Sequence, residues 1–414
     1  MSGRPKTRTA TLACALLMTL AACSAPAGSP APSGPPSATG SPPAATSTPS
    51  ASPSPTTLPA PSQTEDYAAA RLASMSLRDK VSSLLMLRYP GTDASAIRAF
   101  VDTFHPGGLI LMGDNVPTPV GGLTALTAAI QTDPALPLLI ATDQEGDTVK
   151  RIESDDTPGA EELRDEPPAA TKAAFAERAA LLKSLGINLN FGIIADVTAD
   201  PKSFIYPRVF GTTPAASAAR VTQAVLGEHG TVLSTLKHFP GHGETEANSH
   251  TTVPDTSVSF DDWLKRDAPS FEAGIAAGAE FVMLGQLSYD AVDTAPATLS
   301  AKWHEILRKQ LGFTGVIITD DMLMLQHSGR PDLADPVANA VRSLAAGSTM
   351  LLYVLQPDPE TKQLDPRNPD MLDLKPAALI DGIVSAVESG KLSEKTVDAA
   401  ALRLLELRHS LAKG

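Results

Sequence analysis

The 414 residues suffice for one large domain or two ordinary ones, and 43% hydrophobic residues with a mean hydropathy of -0.01 exclude a wholly disordered chain. With 33 basic and 46 acidic residues the net charge is -13, which argues against a nucleic-acid-binding surface and favours neutral sugars, peptides or small molecules as partners. Cys14 and Cys23 are the two cysteines, so neither a disulfide framework nor a Cys-based zinc site can be built.

Arg4, Lys6 and Arg8 form a positive start, Thr9 to Ala22 is uncharged and mostly apolar, and Leu20-Ala21-Ala22-Cys23 closes the stretch with small residues before a cysteine. That pattern resembles a bacterial lipoprotein signal. Cleavage would leave Cys23 at the new amino terminus, and the resemblance implies a thioether-linked diacylglycerol there. The alternative is a signal peptide that happens to end at cysteine; the apolar run is too short to span a bilayer. The expected location is therefore the outer face of the cytoplasmic membrane, with lipid as the only membrane contact.

From Ser24 to Thr64 there is no charged residue and hardly a large apolar one, and 12 prolines punctuate Ser, Ala, Thr and Gly. Such a stretch cannot offset its ordering entropy by burial, so a stiffened tether is expected over 23–64. It serves either as a spacer or as passive filler. Residues 65–414 are expected to form the single folded domain.

In that domain the apolar runs predict strands at Leu84–Arg88, Gly108–Met112, Pro137–Thr142, Ile187–Ile193, Val232–Lys237, Glu280–Gly285, Gly315–Thr319 and Ser348–Val354. Several are continuously apolar, as buried parallel strands are, and segments such as Ala215–Leu226 and Pro336–Ala346 carry helical spacing. Eight strand-helix units predict an α/β protein with a (β/α)8 TIM-type barrel, and no GxGxxG follows the first strand to support dinucleotide binding. Polar residues gather at the carboxyl ends of the runs: Asp114 and Asn115, Asp143-Gln144-Glu145, Asp196, Lys237-His238, Gln286, and Asp320-Asp321. Any one of them could cap a helix, but six together fit loops converging on one basin.

The segments LILMGDN, ATDQEG, INLNFGIIADV, YPRVFG, LKHFPGHG, NSH, ATLS and ILRKQLGFTGVIITDDMLM resemble the glycoside hydrolase family 3 β-N-acetylhexosaminidases of the peptidoglycan-recycling type. The resemblance runs from about Leu72 to Leu407 in the family's order and spacing. It implies a retaining mechanism in which Asp320, the first aspartate after GVIIT, is the nucleophile, and alternation along a strand end would turn Asp321 away. It implies that His250, in the loop after the fifth strand, is the acid and base, a role histidine fills without adding a second negative charge. The family orients that histidine with an aspartate two residues earlier. Here the position is Asn248, which can accept a hydrogen bond but cannot stabilise an imidazolium, unless Glu244, Glu246 or Asp255 supplies the charge.

The resemblance also implies that Asp143, Arg151, Arg208, Lys237 and His238 hold the hydroxyls of the terminal sugar. Asp147-Thr148 stands where the family usually has Gly-Arg, a change expected at the pocket edge. His105 and His327 read as ordinary surface or helix-end histidines. His238 and His242 are four apart, but Phe239-Pro240-Gly241 between them excludes a regular helix, so no metal and no cofactor is expected, and His242 is expected to brace its loop through backbone hydrogen bonds. The expected substrates are GlcNAc-containing muropeptides or peptidoglycan fragments, trimmed by a monomer. Two other readings stay open: a lipid-anchored sugar-binding pseudoenzyme weakened by Asn248, and phosphorolysis in place of hydrolysis.

Overall fold

The computed structural model describes residues 62–413 apart from Glu246, 360–364, Asp370 and Asp373. Cys23 and nearly all of the expected tether lie outside the described residues. The tether's expected end does change: Ser62 caps a helix over Gln63–Ser74, exchanging reciprocal hydrogen bonds with Glu65, so Gln63 and Thr64 are helical. The capping box outweighs the low apolar content that placed the boundary at 64.

Eight parallel strands form one sheet: β1 (Leu85–Leu87), β2 (Gly108–Leu111), β3 (Leu139–Thr142), β4 (Leu189–Ile194), β5 (Leu233–Phe239), β6 (Phe281–Leu284), β7 (Val316–Thr319) and β8 (Leu351–Tyr353). Their order around the sheet is β8-β1-β2-β3-β4-β5-β6-β7, with Leu85 opposite Leu351 at one join. A bridge between Ile318 and Met350 brings β7 against β8 and closes the barrel. All eight strands sit where the apolar runs predict them, trimmed by up to three residues at their ends or extended by up to two. The helices Pro214–Glu228 and Pro336–Ala346 fill two of the predicted crossovers, each with proline in its first turn.

Continuous burial of the strands follows from helices covering the outside and side chains filling the inside. Behind β5 an aromatic cluster fixes the chain as it leaves the barrel. Phe239 meets Trp263, Phe271 and Trp303 edge-on, with ring centroids 5.9, 5.1 and 5.6 Å away. Trp263 Nε1 donates to the carbonyl of Pro240 at 2.8 Å, and Tyr289 Oη donates to that of Gly241 at 2.7 Å. The backbone just beyond β5 is thereby held in place by these two donors. No described helix is long and apolar enough to cross a membrane.

Candidate active site

At the carboxyl end of β3 the chain alternates, so Asp143 and Glu145 leave on the side opposite Gln144. Gln144 is fully buried. Its Oε1 accepts from the amides of Arg151 and Ile152 at 2.9 and 3.0 Å, and its Nε2 donates to Asp155 Oδ2 at 2.8 Å. Asn190 on β4 exchanges two hydrogen bonds of 3.1 Å with the backbone of Gln144. The polar capacity of Gln144 is spent on holding the segment that carries Arg151 against the strand that carries Asp143.

Four of the five predicted sugar-binding residues meet in one network. Lys237 Nζ lies 2.9 Å from Asp143 Oδ1 and 2.7 Å from Glu145 Oε1. Arg151 Nη2 donates to Asp143 Oδ2 at 3.2 Å, and Arg208 grips both oxygens of Glu145 at 2.8 Å. Glu145 was expected among the polar residues at the carboxyl ends of the strands but was given no part in sugar binding. A buried carboxylate must be paired, and the sequence neighbours of Glu145 include no basic partner; Arg208 arrives from the loop after β4. Burial alone would push both carboxyls up, but the cations more than offset it: Lys237 and Arg151 bring Asp143 down to about 2, and Arg208 and Lys237 hold Glu145 below the usual range. Both are anions throughout the physiological range.

His238, the fifth residue, has a separate partner. Its Nδ1 lies 2.8 Å from Asp196 Oδ2 at the end of β4, and its amide shares that carboxylate at 3.2 Å. Asp196 also accepts the amide of His242 at 2.7 Å. Burial opposes the ionisation of Asp196, yet His238 and that amide keep it below the ordinary carboxylate range. His242 does brace the loop, through its own amide rather than its ring; burial pushes the ring down to about 4, so it is neutral. The His238 and His242 rings are nearly perpendicular with centroids 6.3 Å apart.

Asp320 follows β7 directly and is half-buried; its amide donates to Leu284 at the end of β6 at 2.8 Å. Asp321 turns elsewhere: its Oδ1 accepts the amides of Leu323 and Val354, both at 3.1 Å, and burial pushes it up to about 7. Gln286, buried after β6, reaches the carbonyls of both aspartates at 3.4 and 3.3 Å and accepts from Thr298 of the ATLS segment. Asp114 pairs with Arg88 at 2.7 Å, while Asn115 is buried and ties down the carbonyl of Tyr89.

Asn248 and His250 are exposed on the loop after β5. Asn248 Oδ1 accepts from the backbone amide of His250 at 3.0 Å rather than from its ring. Glu244, one of the acids that could have served the ring, is bound to Arg266. Asp255 is exposed in a two-residue strand alongside Ser288, and Glu246 lies outside the described residues. Asp147 and Thr148 form a tight turn in which Asp147 has φ +43° and caps the short helix Ala160–Leu163, accepting from Gly159 and Glu161 at 3.1 and 3.2 Å. His105 ends a helix in a left-handed conformation, and His327 closes the short helix Leu323–His327.

The family model for the glycosyl hydrolase family 3 N-terminal domain matches residues 76–407. A β-hexosaminidase of Nitrosomonas eutropha is 34% identical over 295 residues, which span 66% of this chain and 81% of that protein. A family 3 β-N-acetylglucosaminidase of Paenibacillus superposes with a TM-score of 0.72 at 30% identity, covering 82% of this chain but 64% of that one, less than two thirds of its length. The β-N-acetylhexosaminidase of Beutenbergia cavernae gives a TM-score of 0.67 at 30% identity, covering 81% of this chain and 99% of that one.

Proposed function

The chain belongs to glycosyl hydrolase family 3, as a glycoside hydrolase of the β-hexosaminidase kind, and we propose that it removes terminal N-acetylglucosamine from peptidoglycan fragments with retention of configuration. The observation that carries this reading is the network of Asp143, Glu145, Arg151, Arg208 and Lys237 at the barrel mouth, with His238 beside it. Carboxylates that stay ionised accept from a sugar diol, and the cations donate to hydroxyl and acetamido oxygens.

In the proposed sequence the Asp320 carboxylate attacks the anomeric carbon while His250 passes its proton to the departing glycosidic oxygen. A glycosyl ester forms. Water then attacks the anomeric carbon, gives a proton to His250, and releases Asp320. The nucleophile assignment is supported by the lighter load on Asp320, which accepts one backbone amide, that of Asp321 at 2.7 Å, whereas Asp321 is committed to two. For location, the proposal is a diacylglycerol on Cys23 that holds the protein outside the cytoplasmic membrane, two or more acyl chains being needed for durable anchoring. Cys23→Ser should release the protein to the medium or block its processing; unchanged membrane fractionation removes that part.

The deciding experiment is release of chromophore from an aryl β-N-acetylglucosaminide, with and without phosphate, followed by identification of the sugar product. Free β-anomeric sugar supports hydrolysis, and a sugar phosphate supports phosphorolysis. One observation favours a second reading, a sugar-binding pseudoenzyme: Asn248 spends its acceptor on the amide of His250, and no described residue hydrogen-bonds the His250 ring. Failure on every glycoside, with retained binding of N-acetylglucosamine, would select it.

A further inference from the structure

We propose that Asp196 is a positioning residue with two tasks: it fixes the hydrogen-bonding sense of His238 in the sugar pocket, and it anchors the root of the loop that carries His250. The inference rests on the functional reading above but assigns a residue which that reading leaves without a role.

The pocket is rich in donors. Arg151, Arg208 and Lys237 are donors alone, and the acceptors Asp143 and Glu145 are each already engaged by two of them. A sugar hydroxyl that accepts from one of these cations must still place its own proton. With His238 Nδ1 donating to Asp196 at 2.8 Å, the tautomer so fixed presents its lone pair at Nε2, and no described residue hydrogen-bonds that nitrogen. Asp196 is fully buried and its oxygens meet two amides and one ring nitrogen, so the carboxylate cannot rotate away.

The second task follows from the same carboxylate. Its Oδ1 holds the amide of His242 at 2.7 Å. The next residue, Gly243, lies so close to the β4 exit that an added Cβ would come within 1.7 Å of the Val197 carbonyl oxygen. The loop therefore leaves the barrel from a clamped point, with Asn248 and His250 a few residues beyond. One side chain thus serves both the binding histidine and the base of the proposed proton-transfer loop.

Two substitutions separate the tasks. Asp196→Asn keeps an oxygen for the His242 amide but places an NH2 group against His238 Nδ1, which must then become the acceptor and move the ring proton to Nε2. The expected result is a roughly ten- to hundredfold rise in KM on an aryl β-N-acetylglucosaminide with kcat changed far less. The 15N shifts of the His238 ring in the free protein should exchange their protonated and unprotonated nitrogens. Asp196→Ala removes the loop anchor as well, so kcat should fall in addition. Unchanged KM and unchanged ring shifts in the asparagine variant would overturn the proposal, as would equal losses of kcat in the two variants. The ring shifts need no turnover, so a tautomer exchange in a protein inert on all glycosides would sink the hydrolase reading and leave the positioning role standing.

Discussion

Glu145 receives Arg208 through both of its carboxylate oxygens at 2.8 Å, and the side chains on the two sides of that pair are 6% and 13% exposed. A fork of this kind, out of water and shared with Lys237 at 2.7 Å, sets where two cations stand before any sugar arrives. Glu145→Gln keeps the shape but leaves Arg208 and Lys237 under-compensated. Breaking one partner of a buried pair costs about 3–5 kcal/mol, and the cost should appear as a lowered denaturation midpoint. KM for an aryl β-N-acetylglucosaminide should rise at least tenfold. A variant as stable and as active as the parent would show that the fork has no part in the pocket.

Glu228 gives a pH-dependent test. It is fully buried at the end of the helix Pro214–Glu228, and its Oε1 accepts from Asn190 at 2.6 Å. Burial pushes its pKa from 4.5 up to about 8, against the pull of Asn190 and Arg178. The folded protein therefore keeps a proton that the unfolded chain releases, and stability falls as pH rises from 4.5 to 8. Glu228→Gln keeps the acceptor for Asn190 and removes the titration. The variant should match the parent near pH 4 and exceed it at pH 8 by on the order of 3–5 kcal/mol, at about 1.4 kcal/mol per pKa unit. Parallel stability curves for the two proteins across that range would contradict the assignment.

The barrel was legible because each strand is a short apolar run, and continuous burial needs nothing longer in range than hydrophobicity. The positions at the strand ends were legible for the same reason. Partners were harder to read. Asp143 and Glu145 sit two apart in the sequence, but only the fold brings Arg208 to the second one and Asp196 to His238. Residues that act through one another across a barrel carry no local pattern. The motif resemblance supplied roles one residue at a time and was silent on Glu145, on Asp196 and on Gln144, whose work is to hold other residues in place. At the chain's other boundary, a single Ser-Glu capping pair puts Gln63 and Thr64 in a helix rather than in the expected tether.

Asp147 is the structural answer to the missing Gly-Arg pair. It has φ +43°, which a glycine would adopt at no cost, yet its carboxylate caps the helix Ala160–Leu163 from outside, and an added Cβ on Gly159 would come within 2.3 Å of it. Asp147→Ala loses the cap and keeps the backbone penalty, so it should destabilise by about 2 kcal/mol; Asp147→Gly relieves the backbone and should cost about 1 kcal/mol. Equilibrium unfolding in urea can resolve that difference. Alanine equal to or better than glycine would mean that the backbone conformation has relaxed and the cap contributes little.

Asn248 stands where the resemblance implies an aspartate, and its geometry sharpens what Asn248→Asp should do. The existing side-chain oxygen is held by the amide of His250 at 3.0 Å, so an aspartate can keep that bond with one oxygen and offer the other to the ring. Glu244 is committed to Arg266 and does not compete for the role. A carboxylate beside the ring favours the imidazolium, so the acid form in the variant persists to higher pH. Natural disaccharides have poor leaving groups that need this proton, whereas an activated aryl group departs largely without it. The substitution should therefore raise turnover on disaccharides most, leave aryl glycosides nearly unchanged, and move the basic limb of the disaccharide pH profile upward. Equal gains on both substrates would point to a change in binding rather than in proton transfer. No change on either, with an unmoved profile, would mean that another carboxylate of the loop already orients His250 or that the acid stands elsewhere.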